Sequence, residues 1–314
     1  MMDSISTASA YQSVLNNLMT AQAAQTAAGD QLSSSEKSTD LMGYGAQSET
    51  LLAMQATNAQ VTGWLSDTTA VGAKLSTQDS ALNEVASGAG SAVQAITQAL
   101  GSGNGSALMQ SLQDAFSSAV EGLNTTYNGE YLFAGGQVDT QPVSATSLAQ
   151  LTSGAPISSF FNNDQLQTTS QINQNTTIPT GFLASQVGTP LFTAFQSVEA
   201  YVQANGGFSN PLTTAQSQFL TQQLTVFQSA QTGLTNVVAQ NGLLQSETTD
   251  AQTDLNSRQA MLQGLISNIT SADLPQASAN LQQAQLAVQA AGQVFQSLNS
   301  TSLLSTLISS NTIA

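Results

Sequence analysis

A narrow apolar seam near the C-terminus limits what this chain can fold into. Within residues 274–298, apolar side chains alternate spacings of four and three, at Ala277, Leu281, Ala284, Val288, Ala291, Phe295 and Leu298. This spacing keeps one face of a helix against a partner helix. The alanines allow a close approach, while the larger side chains supply apolar area whose burial yields about 25 cal/mol per Å². Because such a helix is marginal alone in water, the sequence requires a partner.

Three other segments show helical periodicity. Residues 11–32 have apolar positions at helical spacing, and residues 220–269 predict a long helix. Residues 51–100 keep one register of 3.5 residues, with polar or small interruptions at Asn58, Thr68, Gly72 and Asp79. A helix of about 50 residues would be about 75 Å long, so we expect an elongated molecule.

The middle of the chain changes character. Between residues 136 and 210, glycines and prolines separate short runs such as PISSFF, TTIP and GFLASQV. This pattern predicts a small domain of short strands and loops. Upstream, the glycines of GSGNGS at residues 101–106 indicate a turn between helices, since no strand precedes them and no lysine follows, as a phosphate-binding loop would require.

The predicted fold is mainly α, with a small β-rich insertion that makes it α+β overall. Both chain ends form an elongated antiparallel helical rod or coiled coil. We expect five segments: a terminal helix and loop at 1–45, the first half of the rod at 46–135, the inserted domain at 136–210, the second half of the rod at 211–272, and at 273–314 a terminal helix that pairs with the N-terminal one.

Composition excludes several function classes. The chain has no cysteine or histidine, so disulfides, thiolate or imidazole metal sites and histidine bases are absent. Three basic residues against 18 acidic ones give a net charge of −15, which disfavours nucleic acids and anionic membranes as partners. Glu247, Asp250 and Asp254 share a helical face, which we interpret as solvated rather than as a cation site. We expect no enzyme activity, cofactor or metal.

Membrane insertion and classical secretion are not indicated. No run of about 18 apolar residues is present, so no transmembrane helix is expected. The opening residues lack the basic and apolar regions of a cleaved signal peptide. Export by another route is compatible with this sequence.

Aromatic residues cluster at the predicted boundary between rod and insertion. Tyr127, Tyr131 and Phe133 lie close in sequence to Gly135. We expect these four residues to anchor the insertion on the rod. The alternative is that the same aromatics bind a sugar.

Both ends of the chain resemble one known family. Residues 5–34 include YQSVLNNL followed by QLSS, and they resemble the N-terminal helix and turn of the flagellin superfamily. Residues 271–304 include LQQAQLAVQA, which is similar to the C-terminal segment of that superfamily. Two matching ends around a divergent middle are a specific signature.

A third stretch distinguishes branches of this family. Residues 128–143, NGEYLFAGGQVDTQPV, are similar to the Gly-x-Tyr-Leu-Phe-x-Gly-x-x-x-Asp-Thr-x-Pro stretch of the hook-associated branch that joins hook to filament. The final SLNSTSLLSTL, residues 297–307, also resembles that branch more than the flagellin tail.

The resemblance implies a structural subunit at the hook-filament junction of the bacterial flagellum, without catalysis. Implied partners are copies of the chain in a helical ring, another hook-associated protein, flagellin and a flagellar export chaperone. The protein would be exported through the flagellar type III apparatus without a cleaved signal and reside in the extracellular flagellum. Two alternatives remain open: flagellin itself, the filament subunit, and an adhesive or glycan-binding surface module.

The resemblance also implies how the seam is used. Terminal segments of the family are largely disordered as monomers and form coiled coils in the polymer. Residues 274–298 would pair with residues 11–32 of the same chain. We expect the assembly interface to include Tyr11, Leu15, Leu18, Leu32, Leu281, Val288, Phe295 and Leu298.

Overall fold

The computed structural model describes the backbone of residues 2–310 and the side chains of residues 9–298. The α-helices are α1 (Met2–Ser34), α2 (Ser48–Ser102), α3 (Leu108–Leu123), α4 (Ala184–Asn205), α5 (Thr214–Thr270) and α6 (Leu274–Ser310). The strands are β1 (Thr126–Tyr127), β2 (Glu130–Tyr131), β3 (Thr169–Gln171) and β4 (Thr177–Pro179). The predicted fold class, mainly helical with a small β-containing middle, is confirmed. The side chains beyond residue 298 lie outside the part of the chain that the structure describes.

The chain divides into two compact units. The terminal unit comprises Met1–Gln60 and Arg258–Ala314, and the central unit comprises Val61–Ser257. Helices α2 and α5 each contribute to both units. The finer division into five segments stays a prediction.

In the terminal unit, α1 and α6 pack against each other in antiparallel directions. The ring of Tyr11, near the start of α1, contacts the ring of Phe295 on α6. At the other end of α1, the Ala272 amide donates to the Ser35 carbonyl at 2.9 Å and the Lys37 amide donates to the Thr270 carbonyl at 2.7 Å. The predicted pairing of the two chain ends is therefore confirmed.

The seam between these helices follows a heptad on both sides. On α1, the buried or half-buried positions at alternating spacings of three and four are Tyr11, Val14, Leu18, Ala21, Gln25, Ala28 and Leu32. On α6, Ala277 and Ala284 are buried, and Leu281, Val288, Ala291 and Leu298 are half-buried. Alternation of small and larger side chains gives a close but narrow contact, as the spacing predicts.

The core of the central unit is built around phenylalanines from three helices. Phe116 of α3 lies 5.0 Å from Phe192 and 5.5 Å from Phe195 of α4, measured between ring centroids. Phe195 in turn lies 5.0 Å from Phe227 of α5. All four rings are fully buried, so they join α3, α4 and α5 into one core.

Helix α3 also packs closely on α2. A Cβ added to Gly88 of α2 would lie 2.6 Å from the Ala115 carbonyl oxygen, and one added to Gly122 of α3 would lie 2.7 Å from the Ala81 carbonyl oxygen. Glycine at both positions therefore lets the two backbones approach.

Two short antiparallel strand pairs follow. In the first, Tyr127 pairs with Glu130 across a two-residue turn. The turn residues Asn128 and Gly129 have φ of 53° and 87°, the left-handed conformations of a type I′ hairpin. In the second, β3 pairs with β4.

Residues 136–210 differ in part from expectation. They contain β3 and β4, but also the 22-residue helix α4, where the sequence predicted short strands and loops. Pro190, which the sequence pattern predicts as a break, lies inside α4. The helix is stabilised despite this proline because Leu191 and Val198, together with the two phenylalanines, are fully buried.

Candidate functional sites

The outer surfaces of α1 and α6 carry large apolar side chains that the helix pair itself leaves uncovered. Leu15 and Met19 on α1 are 48% and 60% exposed, and Leu286 and Val294 on α6 are 66% and 47% exposed. A single exposed apolar residue is ordinary on a protein surface. Exposed apolar side chains on both helices of one pair are instead typical of a surface that packs against further helices.

Charge is nearly absent from the same helices. The sequence of α6 contains no Asp, Glu, Lys or Arg, and α1 contains only Asp3 and Asp30. A solvent-exposed coiled coil usually carries charged residues beside its seam. Here the positions beside the α6 seam are glutamines, such as Gln282 and Gln289, which can be buried at lower cost than charges.

The residues predicted as an assembly interface fall into two groups. Seven lie on the seam between α1 and α6, namely Tyr11, Leu18, Leu32, Leu281, Val288, Phe295 and Leu298. Leu15 lies off the seam and faces outward. Phe295 is on the seam yet 38% exposed, so part of its ring is open to a further contact. Their role between subunits stays a prediction.

A shallow groove follows the surface of the helix pair. It has a volume of about 530 Å³ and is lined by small side chains of both helices, including Ala24, Ala28, Ala284 and Ala287. Small residues at this place leave room for a close approach.

A backbone bridge and a side-chain cap define the turn into α6. Glu36 and Ser271 form an isolated antiparallel bridge. Asp273 begins the helix, because its carboxylate accepts a hydrogen bond from the Gln276 amide at 3.1 Å. The spacing of Asp273 and Gln276 is that of a capping box, which was the available signal.

A second candidate site lies within the central unit, at the β1–β2 hairpin and the residues that follow it. Of the four residues predicted there, Phe133 is fully buried and its carbonyl accepts a hydrogen bond from the first amide of α4, at Ala184, at 2.9 Å. Tyr127 and Tyr131 belong to the hairpin strands and are half-buried. Their role as the anchor of the insertion on the rod stays a prediction.

Gly135 completes this site through contact with Asp164. Its φ is +71°, and a Cβ there would lie 2.2 Å from the Asp164 carboxylate. That carboxylate accepts hydrogen bonds from the amides of Gly136 and Leu166, both at 2.9 Å. These two bonds, first that of Gly136, hold the pKa of Asp164 below its usual value. Sequence reasoning missed Asp164, because it lies far along the chain from the glycines.

The described residues offer no metal site or membrane span. No three acidic side chains among them lie together as ligands for a metal ion. Across the same residues, every helix falls short in length or apolarity of what crossing a membrane requires.

Family comparison agrees with this architecture. The model of the bacterial flagellin N-terminal helical region matches residues 5–138, and the model of the bacterial flagellin C-terminal helical region matches residues 224–307. Together these matches span well over half of the chain. The chain therefore belongs to the flagellin superfamily. A comparison with curated proteins found no match.

Solved structures share the fold at low sequence identity. A structure assigned to a flagellar hook-associated protein of Vibrio parahaemolyticus is similar, with a TM-score of 0.58 and 14% identity, over 71% of this chain and 97% of that one. FlgL of Bacillus cereus is similar with a TM-score of 0.52 and 16% identity, over 69% of this chain and 98% of that one. The chain therefore shares the fold of these two flagellar proteins.

Proposed function

We propose that this protein is a subunit of the hook-associated protein 3 type, which joins the flagellar hook to the filament through contacts in a helical polymer. One observation carries the proposal: the α1–α6 pair presents apolar side chains on helices with almost no charge. Support for the junction branch comes from the stretch at residues 128–143, which forms the hairpin and its anchor. The role is structural and requires no catalysis.

The proposal includes coupled folding of the ends. The seam between α1 and α6 is narrow, and ordering costs about 1–2 kcal/mol per residue in backbone entropy. Contacts from neighbouring subunits on the outer faces, at Leu15 and Leu286 among others, would supply the remaining burial. The terminal helices would then be disordered in the monomer and ordered in the polymer.

The proposed partners follow from this role. They are copies of the chain in a ring, another hook-associated protein on one side and flagellin on the other, with an export chaperone before assembly. Export through the flagellar type III apparatus would deliver the chain to the extracellular flagellum. A chain without cysteine suits passage in an unfolded state, since no disulfide can form.

Charge substitution on the outer face tests assembly separately from folding. Leu286→Asp combined with Val294→Asp should abolish attachment to isolated hooks, because each carboxylate would be buried without a partner. The unfolding transition of the central unit should stay unchanged. Leu166→Asp is the matched control, since Leu166 is equally exposed but lies in a loop of the central unit. Normal attachment of the double variant would refute the proposed interface.

Truncation gives a second, coarser test. A chain that ends at Pro275 should keep a folded central unit, as measured by its cooperative unfolding, and should fail to assemble. Filaments attached normally to hooks that carry this truncation would overturn the proposal.

The nearest alternative is flagellin, which the family models favour equally by name. The purified chain discriminates between them. A filament subunit polymerises into long filaments by itself, whereas a junction protein stops at a short ring. Electron microscopy of the purified chain at high concentration shows which of the two forms.

A further inference from the structure

A small pocket in the central unit lies between α2 and the β1–β2 hairpin. Val71 and Lys74 line it from α2, and Tyr127, Glu130 and Tyr131 line it from the hairpin. Its volume is about 280 Å³. This is at the lower end of small-molecule sites, which run from about 300 to 1,000 Å³, and it suits a single ring.

Three side-chain polar groups of the pocket make no hydrogen bond within the described part of the fold. Among the described side chains, the Lys74 ammonium and the hydroxyls of Tyr127 and Tyr131 have no hydrogen-bond partner. Lys74 is half-buried, and this burial lowers the pKa of its ammonium, while the charge of Glu130 opposes the shift. Partly buried donors without partners lose hydration, which a ligand can restore.

The hairpin wall is held in place before any ligand arrives. The Tyr131 amide donates to the Val138 carbonyl at 2.8 Å, and the Leu132 amide donates to the Thr125 carbonyl at 3.1 Å. The type I′ turn at Asn128 and Gly129 fixes the cross-strand pair of Tyr127 and Glu130. A preformed wall reduces the entropy cost of binding.

Charge selects the class of ligand. The central unit holds 12 of the 18 acidic residues of the chain but a single basic one, Lys74. The net negative charge of the unit repels anions, and the Lys74 ammonium in the pocket repels cations. A neutral ligand with hydroxyl groups avoids both repulsions. Its oxygens accept hydrogen bonds from Lys74, and its hydroxyls donate hydrogen bonds to Glu130. The tyrosine rings suit the apolar face of a sugar ring.

We propose that this pocket binds one neutral hexose ring, such as the terminal sugar of a surface glycan. This binding activity goes beyond the junction role and does not depend on assembly. Lys74 and Glu130 supply the two sides of the hydrogen bonding, and Tyr127 and Tyr131 supply the ring contacts.

Saturation-transfer NMR on the full-length chain tests the proposal. The probes are the methyl glycosides of glucose, galactose and mannose, together with N-acetylglucosamine and glucuronate. We expect saturation transfer to the ring protons of at least one neutral probe. Lys74→Met and Tyr131→Leu should each weaken that binding at least about tenfold, the effect of losing one good contact. Lys37→Met, which removes a lysine of the terminal unit, should leave it unchanged.

A variant at an exposed position distinguishes a loss of binding from a loss of folding. Glu130→Gln keeps the size of an exposed side chain and should also weaken binding, while circular dichroism and the unfolding transition stay unchanged. Absence of transfer to every neutral probe would overturn the proposal. So would a stronger response to glucuronate than to the neutral glucoside, or binding that survives all three pocket substitutions.

Discussion

Tyr11 and Phe295 meet edge to face, with ring centroids 5.9 Å apart and ring planes at 87°. They lie near opposite ends of the chain. Together with the hydrogen bond from the Ala272 amide to the Ser35 carbonyl at the far end of α1, they fix both the direction and the register of α6 against α1. The contact therefore reports directly on whether the two chain ends are paired.

Tyr11 and Phe295 should be energetically coupled through their ring contact. We expect Tyr11→Leu and Phe295→Leu each to weaken the α1–α6 pair, with a coupling of about 0.5–1.5 kcal/mol in a double-mutant cycle, because edge-to-face rings attract beyond the area they bury. The measurement is the opening free energy of α1 amides by hydrogen exchange, made on the assembled protein where both helices are ordered. Met19→Leu, off the seam, is the control. Strict additivity of the two substitutions would contradict the contact.

A buried polar network links α2 to α5 in the central unit. Asn241 is fully buried. Its side-chain amide donates to the Leu75 carbonyl at 3.0 Å, and its oxygen accepts from the Gln78 side chain at 3.2 Å. The Gln78 side-chain oxygen has no partner among the described residues. The network thus ties two long helices together without satisfying all of its own atoms.

Removing one partner of this network should lower the stability of the central unit more than replacing both partners by apolar residues. Asn241→Ala should lower the free energy of unfolding of the central unit by about 1–3 kcal/mol, since it leaves the Gln78 side chain buried without a partner, although the Leu75 carbonyl keeps the hydrogen bond from the Gln245 side chain. The double replacement Gln78→Leu and Asn241→Leu should recover most of that loss. Urea unfolding measures both, with Gln240→Ala at an exposed neighbouring position as control. A double variant less stable than Asn241→Ala would show that the network stabilises the fold.

The sequence predicted those parts of the fold that depend on spacing within one helix. The seam of α6 at Leu281 and Val288, and the partner seam at Leu18, follow a heptad that can be read directly. In α2, however, a single register captured only one buried face. Val85 and Ala92 are fully buried on a second face, toward α3, which a pattern for a two-helix pair does not anticipate.

Contacts between distant segments could not be read from the sequence. Lys74 and Glu130 share a pocket only because the hairpin folds back on α2. Asp164 binds the amide of Gly136 across a loop, and no local pattern marks this pairing. Helix α4 was missed because a local rule about Pro190 was overridden by the burial of Phe192 and Phe195, which follow it in the helix.

Two glycines of α2 should respond in opposite ways to alanine. Gly88→Ala should destabilise the central unit by about 1–3 kcal/mol, because its Cβ would clash with the Ala115 carbonyl oxygen of α3. Gly63→Ala should stabilise it by about 0.5–1 kcal/mol, because nothing lies within 4 Å of an added Cβ and alanine is the better helix former. Thermal and urea unfolding measure both. Equal effects at the two positions would refute the close packing of α2 on α3.

Asp164 should make the stability of the central unit sensitive to acid. Two backbone amides favour its ionised form, so the folded pKa lies below the unfolded value of about 3.9. The stabilisation is therefore complete above that unfolded pKa and is lost as the pH falls through the folded pKa. Asp164→Asn should show a flatter decline of the urea midpoint below pH ~4 than the unsubstituted protein. Asp139→Asn, at an exposed position nearby, controls for the loss of one charge, and an identical acid profile in the Asp164 variant would contradict the prediction.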